Sequence, residues 1–84
     1  MKWYRLTLAS AVSKAYPKLF RQIREEVKKQ FREHLDYLER GWNISKNVRS
    51  VRRSEYITGY ALTEFRKRHP DLVKKVIQSC EETV

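Results

Sequence analysis

The sequence predicts an all-α protein, a three-helix antiparallel bundle followed by a short fourth C-terminal helix. Three observations predict it. Apolar residues recur at spacings of three and four along most of the chain, which is the period of a helix face. The alternation of a half-buried strand is absent. The two glycines and two prolines, Gly59 excepted, fall at the ends of the periodic runs.

The first helix is expected over the stripe Tyr4, Leu8, Ala11, Val12 and Ala15, and it ends where Pro17 opens the next. The second carries Phe20, Ile23, Val27, Phe31, His34 and Leu38 over more than four turns, and Gly41 reads as its C-cap. Residues 41–50 are the least regular stretch and the expected long connection. The third helix starts between Ser45 and Ser54 and carries Ile57, Tyr60, Ala61 and Phe65. Gly59 lies inside that run, and because the pattern resumes after it, a close helix contact is expected there. Pro70 opens the fourth helix, with Leu72, Val73, Val76, Ile77 and Cys80. The division is residues 1–69 as a three-helix domain and 70–84 as a short helix or tail.

A chain of 84 residues makes one domain with a thin core, because a domain this size buries only about 60% of its unfolded surface. Such scaffolds are usually completed by a disulfide, a metal or a partner. Cys80 is the lone cysteine and forms no internal disulfide, and His34, His69 and Cys80 form no ligand cluster. A partner is the remaining source of stability. With 19 basic against 10 acidic residues the net charge is +9, which favours encounters with nucleic acid, an anionic membrane or an acidic protein. No apolar run approaches the ~20 residues that cross a bilayer. The stretch before Glu25 holds Lys2, Arg5, Lys14, Lys18, Arg21 and Arg24 and no carboxylate. It has the amphipathic, acid-poor character of a mitochondrial address as well as that of an ordinary first helix.

Arg21, Arg24, Lys28 and Arg32 step by three, four and four, so they form one row beside the apolar stripe of helix two, and Lys18 extends it. An anion- or acid-binding surface is expected there; the competing reading is a solvated face relieved by pairs such as Glu25 with Lys29. Arg49, Arg52 and Arg53, then Arg66, Lys67, Arg68 and His69, form a second basic group near Trp42, Tyr56 and Tyr60. That composition suits phosphate contacts and base stacking, so a small basic helical RNA- or DNA-binding module, ribosomal or phage-type, is the alternative reading. Catalysis has little to stand on. His34 lies on the apolar stripe as an expected core or rim histidine, no triad spacing is present, and phosphate-binding glycine loops are missing. Asn43-Ile44-Ser45 matches a glycosylation sequon by chance. No enzyme activity is expected.

Trp3-Tyr4-Arg5, followed by Leu8, resembles the LYR tripeptide and its trailing leucine. Val27-Lys28-Lys29-Gln30-Phe31-Arg32-Glu33-His34 is similar to the basic second-helix segment of the same family, with its Phe-Arg pair. Ser54-Glu55-Tyr56-Ile57 and Gly59-Tyr60-Ala61-Leu62 sit where that family's third helix lies. The likeness to the LYR-motif, complex I LYR-like family covers roughly residues 3–66, and it departs at Trp3, where leucine is usual.

The resemblance implies a mitochondrial protein, in the matrix or on the matrix side of the inner membrane, without enzymatic activity. It implies an adaptor, subunit or assembly factor of a respiratory-chain complex or the mitoribosome, with RNA nearby in the latter case. The implied partner is an acidic acyl carrier protein. No cofactor is bound directly, but the carrier's acyl-phosphopantetheine arm enters the bundle. Tyr4 and Arg5 would then stand at the bundle mouth, with Phe31 inside and Arg32 on the docking side. Helical spacing adds Leu8, Val12, Ile23, Val27, Ile57 and Ala61 as channel or core residues. It also adds Arg21, Arg24 and Lys28 as docking residues.

Overall fold

The computed structural model describes residues 5–82, with side chains from 7 to 79. Five helices follow one another: α1 (Arg5–Ala15), α2 (Pro17–Gln30), α3 (Arg32–Arg40), α4 (Lys46–Arg68) and α5 (Pro70–Glu82). All regular structure among these residues is helical. Two of the breaks are built alike. The residue before a proline is pushed out of the α region by the pyrrolidine ring. Tyr16 accordingly takes φ −132°, ψ 64°, and His69 takes φ −135°, ψ 61°. Each still donates its N–H four residues back, Tyr16 to Val12 at 2.9 Å and His69 to Phe65 at 2.7 Å. The corners are therefore tight, with no loop. Phe65 lies under both, its ring centroid 6.1 Å from that of Tyr16 and 5.3 Å from that of His69.

The third break corrects the expectation of one helix from Pro17 to Leu38. At Phe31 the backbone moves to φ −101°, ψ 15°, the sparsely populated bridge region. The hydrogen-bond ladder survives it: Phe31 donates to Val27 and Leu35 to Phe31, both at 2.9 Å. The result is a bent rod, and the bend moves the inward register. Leu35 is fully buried, while His34 is exposed at the edge of the Phe31 and Tyr60 rings. Of the two places expected for His34, the core is therefore corrected and the rim, beside Phe31 and Tyr60, is the one it takes.

The connection is shorter than residues 41–50, because α4 begins at Lys46 with Ser45 as its N-cap, the hydroxyl accepting from the Val48 N–H at 3.4 Å. Gly41 does cap α3, but at φ −86° it makes no use of glycine's left-handed freedom. Gly41 and Trp42 donate to Leu38 and Glu39 at 3.1 Å, closing the helix with three-residue steps. Gly59 is buried in the middle of α4, which continues past it.

One core joins all five helices: Leu8, Ala9 and Val12 from α1; Phe20, Ile23 and Val27 from α2; Leu35 from α3; Ile57, Ala61, Leu62 and Phe65 from α4; Val73 and Val76 from α5. The most extensive pairing is α2 with α4, and α5 packs on both α1 and α4. The chain reverses through residues 41–45, so that Phe31 meets Tyr60 while Asp36 and Glu39 meet Arg53. The molecule is elongated, 42 × 24 × 17 Å, with a radius of gyration of 14.2 Å against about 12 Å for a compact domain of this length. Before Ile57 the first half of α4 buries no side chain; Arg53 ties it to α3 and Ser54 to Arg24 of α2.

Candidate docking site

The apolar and the cationic candidates take different places. Leu8, Val12, Ile23, Val27, Ile57 and Ala61 are all buried and belong to the single core. Phe31 is half-buried against it, its ring 4.7 Å from that of Tyr60. Trp3 and Tyr4 lie outside the described residues, and Arg5 enters only as the first residue of α1.

Arg21, Lys28 and Arg32 are exposed, and so is Lys18 at the start of α2. Arg24, half-buried, donates from Nη2 to the Ser54 hydroxyl at 3.0 Å, a neutral partner on α4. None of these five cations forms an ion pair among the described residues. A shallow depression of about 450 Å³ between Pro17, Lys18, Arg21, Gln22 and Glu25 lies at the N-terminal end of the row. The Glu25–Lys29 pair that spacing allows is not among the ion pairs of the described residues. The neighbouring Glu26 reaches α4 instead, where its Oε2 accepts from Arg68 Nη1 at 2.6 Å.

The second basic group is divided. Arg49, Arg52 and Arg53 lie at one end of α4 and Arg66, Lys67 and Arg68 at the other, about 25 Å apart at 1.5 Å per residue. Two of these arginines are already engaged. Arg53 Nη1 donates to Asp36 at 2.8 Å and to Glu39 at 2.5 Å, ties α3 to α4, and is held in its charged form above the ordinary arginine range. The Asp36 hydrogen bond is the largest cause, with partial burial opposing it. Arg68 is raised in the same sense, by Glu26 first and then Glu64. The aromatic residues do come together. Trp42 stacks on Tyr56 at 5.7 Å and 19°, and Tyr56 lies 6.1 Å from Tyr60.

A feature that sequence spacing missed is an open groove of about 760 Å³ between α1 and α5. It is lined by the apolar Ala11, Ala15, Tyr16 and Val76 together with polar groups that include Lys14 and Lys75. The available signal was a pair of alanines four residues apart on α1, a small-residue face whose neighbour could not be named from the sequence. Among the described residues no group of three or more His, Cys, Asp or Glu side chains is placed to hold a metal ion. The arrangement is therefore one of surfaces: a cationic strip on α2, an apolar groove with lysines beside α1, and a separate aromatic and basic end. Comparison with protein-family models, curated proteins and solved structures found no match to this chain.

Proposed function

We propose that the chain is a non-enzymatic, LYR-type adaptor that docks an acidic acyl carrier protein on the α2 strip. In this reading it serves a mitochondrial respiratory complex or the mitoribosome as a subunit or assembly factor. The observation that carries it is the contrast between two sets of cations. Arg53 and Arg68 are spent on carboxylates of the fold, whereas Lys18, Arg21, Lys28 and Arg32 are exposed without one among the described residues. Unspent charge of one sign along one strip speeds association with a partner of the opposite sign and fixes its register. An acidic carrier helix and the phosphate of its arm are such partners, through charge-assisted hydrogen bonds.

The acyl chain requires apolar surface. The six buried candidates are occupied with one another, so the chain takes the α1–α5 groove. Its ~760 Å³ falls in the range of small-molecule sites, and its alanines, Tyr16 and Val76 supply apolar lining. The test is to replace Arg21, Lys28 and Arg32 by glutamate, leaving Arg24 and its bond to Ser54 intact. Binding to purified acylated acyl carrier protein is then measured by titration calorimetry. Affinity should fall at least tenfold while the circular dichroism spectrum is unchanged. Undiminished binding by the folded variant would remove this strip from the function.

A further inference from the structure

The large apolar side chains that stand exposed among the described residues gather in one part of the molecule. They are Tyr37 at 72%, Val48 at 49%, Val51 at 59% and Tyr56 at 40%, all on α3 or the first half of α4. The lead-in to α4 and its first turns are strongly basic. From Arg40 to Ser54 the chain carries Arg40, Lys46, Arg49, Arg52 and Arg53 before the next carboxylate, Glu55, four residues after Val51, and only Arg53 of these cations forms an ion pair among the described residues.

A spacing of three puts Val48 and Val51 on one side of α4. Arg52 and Tyr56, four residues apart, form the adjoining strip, and Trp42 lies across both. Its ring is stacked on Tyr56 at 5.7 Å, and the Arg52 guanidinium carbon is 5.3 Å from its centroid. We propose that this end of α4, built on Val48, Val51, Trp42 and Arg52, with half-buried Arg49 three residues before Arg52 and Lys46 in the same first turn, docks on the surface of an anionic phospholipid bilayer.

Each component matches one layer of that interface. Lysine and arginine heads meet lipid phosphates while their stems lie along apolar surface. Tryptophan and tyrosine settle at headgroup depth. Valines reach the boundary of the acyl chains, as in helices that lie in the interface plane. None of the described helices is long and apolar enough to cross a membrane, so the contact is peripheral. A nucleic acid would use the cations and rings, but it offers the two valines nothing. The end of α4 is a different surface from the α2 strip, so this inference stands or falls apart from the acyl-carrier reading.

The test is co-sedimentation of the full chain with vesicles of phosphatidylcholine and phosphatidylglycerol mixed about three to one. The protein should pellet with these and stay in solution with phosphatidylcholine alone. Val48→Ser with Val51→Ser leaves net charge unchanged and alters only exposed positions; it should weaken binding about tenfold. Lys46→Glu with Arg52→Glu should weaken it at least 25-fold, at about fivefold for each basic charge removed. Arg21→Glu with Lys28→Glu, an equal change in net charge placed elsewhere, should stay within about threefold. No association with the anionic vesicles, no effect of the serine pair, or equal losses from both charge pairs would overturn the proposal. So would Trp42-dependent binding of single-stranded oligouridylate without vesicle association, which would assign the face to nucleic acid.

Discussion

Replacing Leu35 by alanine, with His34→Ala as its companion, tests the bend at Phe31 directly. An unbroken helix continuing the stripe of Ile23 and Val27 places both positions near one face, and the sequence pattern favours position 34. The structure separates them, with Leu35 at 0% exposure in the core and His34 outside it. Truncating a fully buried leucine costs about 2–5 kcal/mol, combining lost transfer energy and the cavity left behind, and about 3 is a fair centre. Total stability for 84 residues is of order 4–13 kcal/mol, so this is a large share of it. At about 2.1 cal/mol/K per residue the unfolding entropy is roughly 0.18 kcal/mol/K, so Leu35→Ala lowers the melting temperature by about 17 °C. His34→Ala loses ring-edge contacts worth about 0.5 kcal/mol, or roughly 3 °C. Thermal unfolding followed by far-UV circular dichroism reads both. Equal shifts, or a larger one for His34, would refute the bend and the register that follows from it.

Phe65→Ala removes the ring beneath both proline corners and should cost about 3–5 kcal/mol, with Phe65→Leu costing less than half of that in urea unfolding. Arg53→Met unties α3 from α4. Its side chain is 23% exposed, which leaves about 1 kcal/mol at low salt, and the difference from wild type should shrink when unfolding is repeated in about 1 M salt. Gly41→Ala should be neutral or stabilising by about 0.4–1 kcal/mol, because the φ of −86° suits any residue and an added Cβ meets only the Leu38 carbonyl oxygen at 3.5 Å. A melting temperature lowered by Gly41→Ala would contradict that geometry. Acyl-carrier binding should weaken steeply between low and physiological salt, as the field of the α2 strip is screened, and a salt-independent affinity would exclude docking through that strip.

Local grammar carried most of the fold. Pro17 and Pro70 announced two corners because a ring at proline Cδ acts on the residue before it, whatever surrounds them. Ile23, Val27, Ile57, Ala61 and Phe65 announced a core because a helix repeats its faces every three to four residues. Leu35 was illegible for the converse reason. Nothing in Gln30-Phe31-Arg32 encodes the break at Phe31, so no local pattern reports it. The cationic strip was legible from spacing alone. Which arginines remained available was not, because Glu26 meets Arg68 across 42 positions and Asp36 meets Arg53 across 17. The α1–α5 groove depends on which helices become neighbours, and helical periodicity says only that a face exists.

The contact between α1 and α5 has a consequence for how the molecule is made. The chain emerges from the ribosome in order, so the side of α1 that faces Val76 and Lys75 stays bare until α5 has been synthesised. Closure of that flank thus waits for a segment made some sixty residues later. Ribosome-stalled chains ending before Pro70 should expose the bare flank to chaperones and proteases, and chains extended through α5 should shut it.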